Sequence, residues 1–146
     1  ARDTPVVLVL FGDHKPWMGN GGSVYEEMGI DFDTSTLAGF RNYYATPYLI
    51  WANRAAKEVL GADFTGDGGD FSPCFLMTRL FDACGWAGPG YMQLSRAMRD
   101  ISPLLHTNGL FLHDGVLTSV LSDTDRSFYR SWLAVQYYRE HVAAYS

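Results

Sequence analysis

The apolar run at residues 6–11, which ends at Gly12, is the feature that most constrains the fold of this chain. The run shows no alternation of polar and apolar side chains, which is typical of a strand covered on both faces, such as an inner strand of a parallel α/β sheet. Ligands of such sheets bind beyond the carboxyl ends of the strands. We therefore predict an α/β fold, with functional groups at Gly12, Asp13 and His14.

Asp13 and His14 supply a carboxylate and an imidazole, which suit Zn²⁺, Mn²⁺ and similar cations. Metal sites usually take three or four protein ligands, and no second cluster of such residues has an obvious metal-ligand spacing. Two interpretations stay open from the residues alone. The pair is half of a metal site, or Asp13 caps the next turn beside a solvated histidine.

The loop predicted at residues 15–22 contains two further candidate ligand contacts, Lys15 and Trp17. One proline and three glycines exclude regular secondary structure in this segment. The alternative is that Lys15 is a solvated cation and that Trp17 packs the loop against the protein.

Two other groups of potential metal ligands have simpler explanations. His113 and Asp114 could complete a site with Asp13 and His14, but Asp114-Gly115 is also the commonest signal for a short hairpin turn. The acidic residues of a glycine-rich stretch suggest calcium, but they lack the spacing and the bidentate glutamate of an EF-hand loop. These acidic residues are Asp63, Asp67 and Asp70.

Composition excludes several classes of protein. The chain has 146 residues, enough for one domain, and its 47% hydrophobic and 18% charged residues predict a folded core rather than disorder. A net charge of −5 favours neither nucleic acid nor an anionic membrane as a partner. No apolar stretch is long enough to span a membrane.

The periodicity of the remaining chain predicts helices alternating with short strands, and hence a mixed sheet flanked by helices. A second strand is predicted at residues 45–51. Short strands with an Asp-Gly hairpin turn are predicted at 104–106, 109–113 and 116–121. The helices are predicted at 23–28, from 34 or 35 through 44, from 53 to 61, from 72 to 85, from 89 to 102, and from 122 or 123 to about Ala144.

Cys74 and Cys84 fall within one predicted helix, ten residues apart. Ten helical residues span about 15 Å along the axis, which is too far for a disulfide. We predict that both are buried free thiols.

The first predicted strand begins within a few residues of Ala1, and the chain does not begin with Met. We expect that the chain is a piece of a longer protein and that strands neighbouring residues 6–11 are missing. An apolar strand without its neighbours is a template for dimerisation or aggregation, so we expect this strand to pair with another chain, as in a homodimer.

The chain resembles the carboxyl-terminal part of the sulfatase-like domain of the lipoteichoic-acid synthase and phosphoglycerol transferase family, within the alkaline phosphatase superfamily. The resemblance rests on Phe-Gly-Asp-His-Lys-Pro at 11–16, Thr-Pro-Tyr-Leu-Ile-Trp-Ala-Asn at 46–53, Ser-Pro-Cys-Phe-Leu through Cys-Gly at 72–85, and Ser-Trp-Leu-Ala-Val-Gln-Tyr-Tyr at 131–138. The family commonly has Asp where this chain has Tyr138.

The resemblance implies that Asp13 and His14 bind a divalent metal cation, with Mn²⁺ or Mg²⁺ favoured. The family transfers a phosphoglycerol group from a lipid head group through a covalent phospho-threonine. Its threonine nucleophile and acidic metal ligand lie upstream, and no part of this chain matches them. The resemblance therefore implies a fragment that is inactive alone, from a parent displayed on the extracellular face of the cytoplasmic membrane.

Two alternatives to a transferase fragment stay open. The first is a fragment of a sulfatase or phosphoester hydrolase, which differs from a transferase in using water as the acceptor. The second is a non-catalytic fold or assembly module in which Asp13 and His14 bind nothing.

Overall fold

The computed structural model describes residues 3–142 and contains six α-helices and two small antiparallel sheets. The chain therefore mixes helices and strands, as predicted. It divides into two compact units, one ending at Thr65 and the other beginning at Gly66, and each is described by itself. Within residues 3–142, none of the helices is long and apolar enough to cross a membrane.

The first unit contains one two-stranded sheet and three short helices. The strands are β1 (Val7–Phe11) and β2 (Tyr48–Ala52), and the helices are α1 (Ser23–Glu27), α2 (Leu37–Tyr44) and α3 (Arg54–Leu60). Strand β2 begins three residues later than the sequence predicted.

Side-chain caps fix where two of these helices begin. The hydroxyl of Thr36 accepts a hydrogen bond from the amide of Gly39 at the start of α2, and Asn53 accepts one from the amide of Ala56 at the start of α3. Such caps satisfy amide groups that have no partner within the helix. The side-chain oxygen of Asn53 also accepts from the amide of Val6 at 3.0 Å, which ties the start of α3 to the start of β1.

One face of the first sheet is exposed. It carries two cross-strand pairs, Leu8 with Trp51 and Leu10 with Leu49, whose exposed fractions are 43%, 46%, 54% and 51%. We call these four residues the open face. The prediction of an inner parallel strand covered on both faces is wrong for residues 3–142, because β1 has one antiparallel neighbour and its open face lacks a packed layer.

The second unit contains three longer helices and a hairpin. The helices are α4 (Leu76–Ala83), α5 (Gly90–Ile101) and α6 (Asp123–His141), and the hairpin is formed by β3 (Phe111–His113) and β4 (Val116–Thr118). The predicted end of α6 near Ala144 lies outside the described residues.

Three buried side chains, Phe75, Met98 and Trp132, form the core of the second unit. The indole nitrogen of Trp132 donates to the buried hydroxyl of Ser95 at 3.1 Å, so the ring is buried without leaving its polar atom unsatisfied. Six half-buried side chains pack around them: Phe71, Leu94, Ile101, Leu105, Phe128 and Tyr129.

The two cysteines differ in environment. Cys74 lies in a 3₁₀ turn at Pro73–Phe75 that precedes α4, and it is exposed, whereas Cys84 caps the end of α4 and is buried. Both are free thiols, as predicted. The predicted burial of Cys74 is wrong, because this turn buries its neighbour Phe75 in place of the cysteine.

The predicted hairpin turn is confirmed. Asp114 and Gly115 adopt φ angles of 50° and 77°, and a turn with two consecutive positive φ angles matches the twist of an antiparallel hairpin. The segment predicted as a strand at 104–106 contributes one isolated bridge, between Leu105 and Phe111.

Candidate metal centre

Asp13 and His14 follow β1 after one intervening residue, Gly12, beyond the end of the strand as the sequence predicts. Both side chains face solvent, with exposed fractions of 82% for Asp13 and 78% for His14. Oδ2 of Asp13 lies 3.6 Å from Nε2 of His14. Two potential metal donors therefore meet at an open position beyond the end of the strand.

Local hydrogen bonds orient both groups. The amide of His14 donates to Oδ1 of Asp13 at 2.9 Å, so the other carboxylate oxygen faces the ring. Nδ1 of His14 lies 3.0 Å from the carbonyl oxygen of Lys15. A carbonyl can only accept, so this bond requires the proton on Nδ1. In the neutral ring Nε2 then carries the free lone pair, and this atom lies 3.6 Å from Oδ2 of Asp13.

This arrangement fits part of a cation site. Metal-binding histidines almost always donate their other ring nitrogen to a carbonyl or carboxylate, as His14 does to Lys15. Two donors that each lie about 2.1 Å from a cation at a tetrahedral angle are about 3.4 Å apart, close to the observed 3.6 Å. The oxygen and nitrogen donors suit Mn²⁺, Zn²⁺ or, through the carboxylate, Mg²⁺.

The pair is not a complete site. Within residues 3–142, no group of three or more His, Cys, Asp or Glu side chains could hold a metal ion. A stable site usually needs three or four protein ligands, so Asp13 and His14 could supply at most part of the ligand shell.

Gly12 is held tightly against the segment that enters β2. The amide of Gly12 donates to the carbonyl of Pro47 at 3.0 Å, and the hydroxyl of Thr46 donates to the carbonyl of Gly12 at 2.7 Å. A Cβ atom added at Gly12 would lie 3.0 Å from Cβ of Thr46. The approach of these two segments therefore favours glycine immediately before Asp13.

The residues after His14 are also anchored. The ammonium group of Lys15 donates to the carbonyl of Asn42 in the last turn of α2, and the hydroxyl of Tyr25 in α1 donates to the carbonyl of Pro16. Lysine near a helix carboxyl end is favoured by the unpaired carbonyls there. Lys15 therefore has a structural role, different from both the ligand contact and the solvated cation considered above.

Trp17 combines features of both predictions made for it. Its ring lies edge-on to Tyr43 at a centroid distance of 6.0 Å and covers Gly22, where an added Cβ would lie 3.4 Å from the indole. The side chain nevertheless stays 58% exposed. It packs the loop and presents a large aromatic surface to solvent.

His113 and Asp114, in the second unit, form a pair with similar local geometry. Nε2 of His113 lies 3.7 Å from Oδ2 of Asp114, and Nδ1 lies 3.0 Å from the carbonyl of Ile101. This histidine is less exposed, at 34%. His113 and Asp114 belong to the second unit and Asp13 and His14 to the first, so that the two pairs complete one site stays a prediction.

The acidic, glycine-rich stretch also lacks a cation site among the described residues. Oδ1 of Asp67 accepts from the amide of Gly69 at 2.9 Å, which is the geometry of an Asx turn. Asp67 and Asp70 line a cavity of about 400 Å³ together with Arg79 and Arg99, whose positive charges oppose cation binding there.

Sequence reasoning missed the residues that position the candidate pair. The sequence predicts a strand at Thr46 and a helix at Asn42, and it predicts no role at the site for either residue. Their contacts join residues 34 and 27 positions apart, respectively. Local periodicity carries no signal for contacts between such distant residues.

Comparison with known proteins gave no matching family model, no matching curated protein and no matching solved structure.

Proposed function

We propose that this chain is the carboxyl-terminal part of a sulfatase-like catalytic domain, from a metal-dependent phosphoglycerol transferase that acts on lipid head groups. Its contribution is two ligands, Asp13 and His14, to a divalent cation, with Mn²⁺ or Mg²⁺ favoured. The observation that carries the proposal is the orientation of this exposed pair, in which Nδ1 of His14 bonds a carbonyl and Nε2 faces the carboxylate.

The proposed chemistry assigns separate tasks to the two residues. Asp13 would supply negative charge and an oxygen donor, and His14 a neutral nitrogen donor whose proton stays on Nδ1. When bound, a divalent cation would stabilise the alkoxide of a nucleophile and a phosphoryl oxygen. The nucleophile and the acidic ligand would come from residues upstream of this chain, so we expect no turnover by the 146 residues alone.

The open face supports the finer part of the fold proposal, a partial sheet of the alkaline phosphatase and sulfatase type. Leu8, Leu10, Leu49 and Trp51 are each between 43% and 54% exposed on one face of the first sheet. Contiguous apolar surface of this kind commonly marks a place where other protein packs. In the proposed parent, further strands and helices of the same domain would cover it.

The proposed parent lies on the extracellular face of the cytoplasmic membrane and takes a lipid-linked or phosphoester substrate. Both statements follow from the family resemblance. They are tested on the longer protein, where a transferase consumes phosphatidylglycerol and prefers an alcohol acceptor, whereas a hydrolase cleaves simple aryl phosphates or sulfates with water.

One observation favours the non-catalytic alternative. His113 and Asp114 reproduce the distances of the candidate pair within a hairpin turn, which shows that such geometry also arises from turn formation alone. If Asp13 and His14 are only a turn of this kind, the chain is a fold or assembly module without a cation.

A calorimetric titration with Mn²⁺ separates these functions. The chain and a longer version that extends upstream through the expected threonine are each compared with Asp13→Ala, and Asp114→Ala is the matched control. We expect tight binding only by the longer version, a loss of at least 10-fold in affinity with Asp13→Ala, and no change with Asp114→Ala. Absence of binding by both lengths, or equal loss in the two variants, would refute the metal assignment.

A further inference from the structure

Trp17 is fixed in position although more than half of it faces solvent. It follows His14 by three residues and is 58% exposed. A tryptophan side chain has roughly 250 Å² of surface, so about 150 Å² of this ring lies in water. Exposed aromatic surface of this size near polar groups is a common property of binding sites.

A series of aromatic contacts holds the ring. Trp17 meets Tyr43 at 6.0 Å, Tyr43 meets Phe32 at 5.5 Å, and Phe32 meets Tyr25 at 5.0 Å. The hydroxyl of Tyr25 then donates to the carbonyl of Pro16, the residue before Trp17. The ring contacts therefore begin at Trp17 and lead back to the residue before it, so they hold the indole in place although it is not buried.

The exposed indole also has an available hydrogen-bond donor. Among residues 3–142, Nε1 of Trp17 has no hydrogen-bond acceptor. A ring that is already ordered loses little conformational entropy when a ligand packs on it, so a fixed tryptophan is an efficient contact surface. The flat apolar face and the single donor together match a ligand that has both C–H and hydroxyl groups.

We propose that Trp17 is a binding platform for a polyol, such as the glycerol unit of a glycerol phosphate. The C–H face of the polyol packs on the indole, and one hydroxyl oxygen accepts from Nε1. This inference rests on the proposed function for its substrate class, and it adds a binding residue beyond the metal pair.

The indole N–H signals of the ¹⁵N-labelled 146-residue chain provide the test, because they report separately on Trp17, Trp51, Trp86 and Trp132. The chain is titrated with glycerol 3-phosphate in the presence of EDTA. We expect a saturable shift of the Trp17 signal and no shift of the other three. Trp17→Phe identifies the signal.

Variants and alternative probes extend the test. We expect Trp17→Ala to weaken binding at least 10-fold, followed through backbone amides of the loop, and Trp17→Phe to weaken it less because a ring remains. Trp86→Ala removes an indole of similar exposure, 45%, and is expected to bind as the unsubstituted chain does.

The source of the ligand is tested in a second arm, in which short-chain phosphatidylglycerol replaces glycerol phosphate. A shift with the lipid identifies a head group as the source, and a shift with glycerol phosphate alone identifies the free compound.

Three results would overturn the platform: a linear, unsaturable shift, an equal shift with inorganic phosphate, or unchanged binding by Trp17→Ala. Because EDTA removes cations, none of these results depends on the metal site. If Trp17→Ala does not change glycerol phosphate binding but Mn²⁺ binding depends on Asp13, the platform alone is refuted. If glycerol phosphate binding depends on Trp17 but Mn²⁺ binding does not depend on Asp13, the proposed function alone is refuted.

Discussion

Asp82 joins two helices of the second unit to the loop between them. Asp82 lies in α4. Its Oδ2 lies 2.7 Å from Nη1 of Arg99, and its Oδ1 accepts a hydrogen bond from Nε of Arg96. Both arginines belong to α5. Arg96 also donates to the carbonyls of Trp86 and Ala87 in the connecting loop. Asp82→Asn keeps the shape of the side chain and removes the charge that orients both guanidinium groups.

The loss of stability expected for Asp82→Asn follows from how deeply Asp82 and the two arginines are buried. The side chains of Asp82, Arg96 and Arg99 are 21%, 22% and 18% exposed, so solvent screens them only in part. Losing one hydrogen bond to a charged group costs about 1.5–3 kcal/mol, and breaking a fully buried ion pair costs about 3–5 kcal/mol. Allowing for residual screening, we expect Asp82→Asn to lower the free energy of unfolding by about 2–3 kcal/mol at pH 7.

The loss of stability caused by Asp82→Asn should become smaller at low pH. Burial raises the pKa of Asp82, but the hydrogen bonds and charges of Arg96 and Arg99 outweigh it and hold the pKa below the ordinary 3.8. A carboxyl with a lowered pKa in the folded state contributes stability that is present above its unfolded pKa and is lost as pH falls through its folded pKa. The difference in free energy of unfolding between the unsubstituted chain and Asp82→Asn should therefore shrink below about pH 3.8.

Urea denaturation followed by circular dichroism, at pH 7 and at about pH 2.5, measures both effects. Asp100→Asn is the matched control, because this carboxylate is 76% exposed and lies 4.0 Å from Arg99. We expect the control to cost less than about 0.5 kcal/mol. A cost for Asp82→Asn no larger than the control, or one that is the same at both pH values, would refute the reasoning.

Three further predictions concern the first sheet and the second histidine pair. Gly12→Ala should lower the free energy of unfolding by about 1 kcal/mol in urea, because its Cβ would lie 3.0 Å from that of Thr46; an unchanged midpoint would contradict this. The 146-residue chain should associate through β1 in sedimentation experiments at about 100 µM, and Leu10→Lys on the open face should reduce association, whereas a monomeric parent chain argues against it. The pKa of His113 measured by NMR should exceed 6.5, because its hydrogen bond to the last carbonyl of α5 and the charge of Asp114 outweigh the effect of burial, and Asp114→Asn should lower this pKa. The stability that the raised pKa provides is present below the pKa of the unfolded state and is lost as pH rises through the pKa of the folded state.

Features fixed by a few neighbouring residues could be predicted from the sequence. Asn53 and Ser122 begin α3 and α6 by accepting hydrogen bonds from amides three residues ahead, and Asp114-Gly115 forms the expected turn. The chemistry of each signal lies within a single turn of chain. The position of Asp13 and His14 directly after a strand was predictable for the same reason.

The pairing and coverage of β1 could not be predicted. An apolar run indicates that both faces of a strand can be buried, but it does not identify the partner or the layer that covers each face. In residues 3–142 the partner is the antiparallel strand β2, reached after 36 intervening residues that include α1 and α2, and Leu10 stays 54% exposed. The contacts of Thr46 and Asn42 with the loop depend on this same pairing, so the support of the site was missed with it.

The two Asp–His pairs show why distance alone does not identify a metal site. Both place Nε2 within 3.6–3.7 Å of a carboxylate, and both bond Nδ1 to a carbonyl. They differ in access, because His14 is 78% exposed and His113 is 34% exposed. A cation held by two ligands of this chain needs open space around Nε2 for its remaining ligands. Access therefore favours Asp13 and His14, and for that reason the comparison of Asp13→Ala with Asp114→Ala tests the assignment more directly than either variant alone.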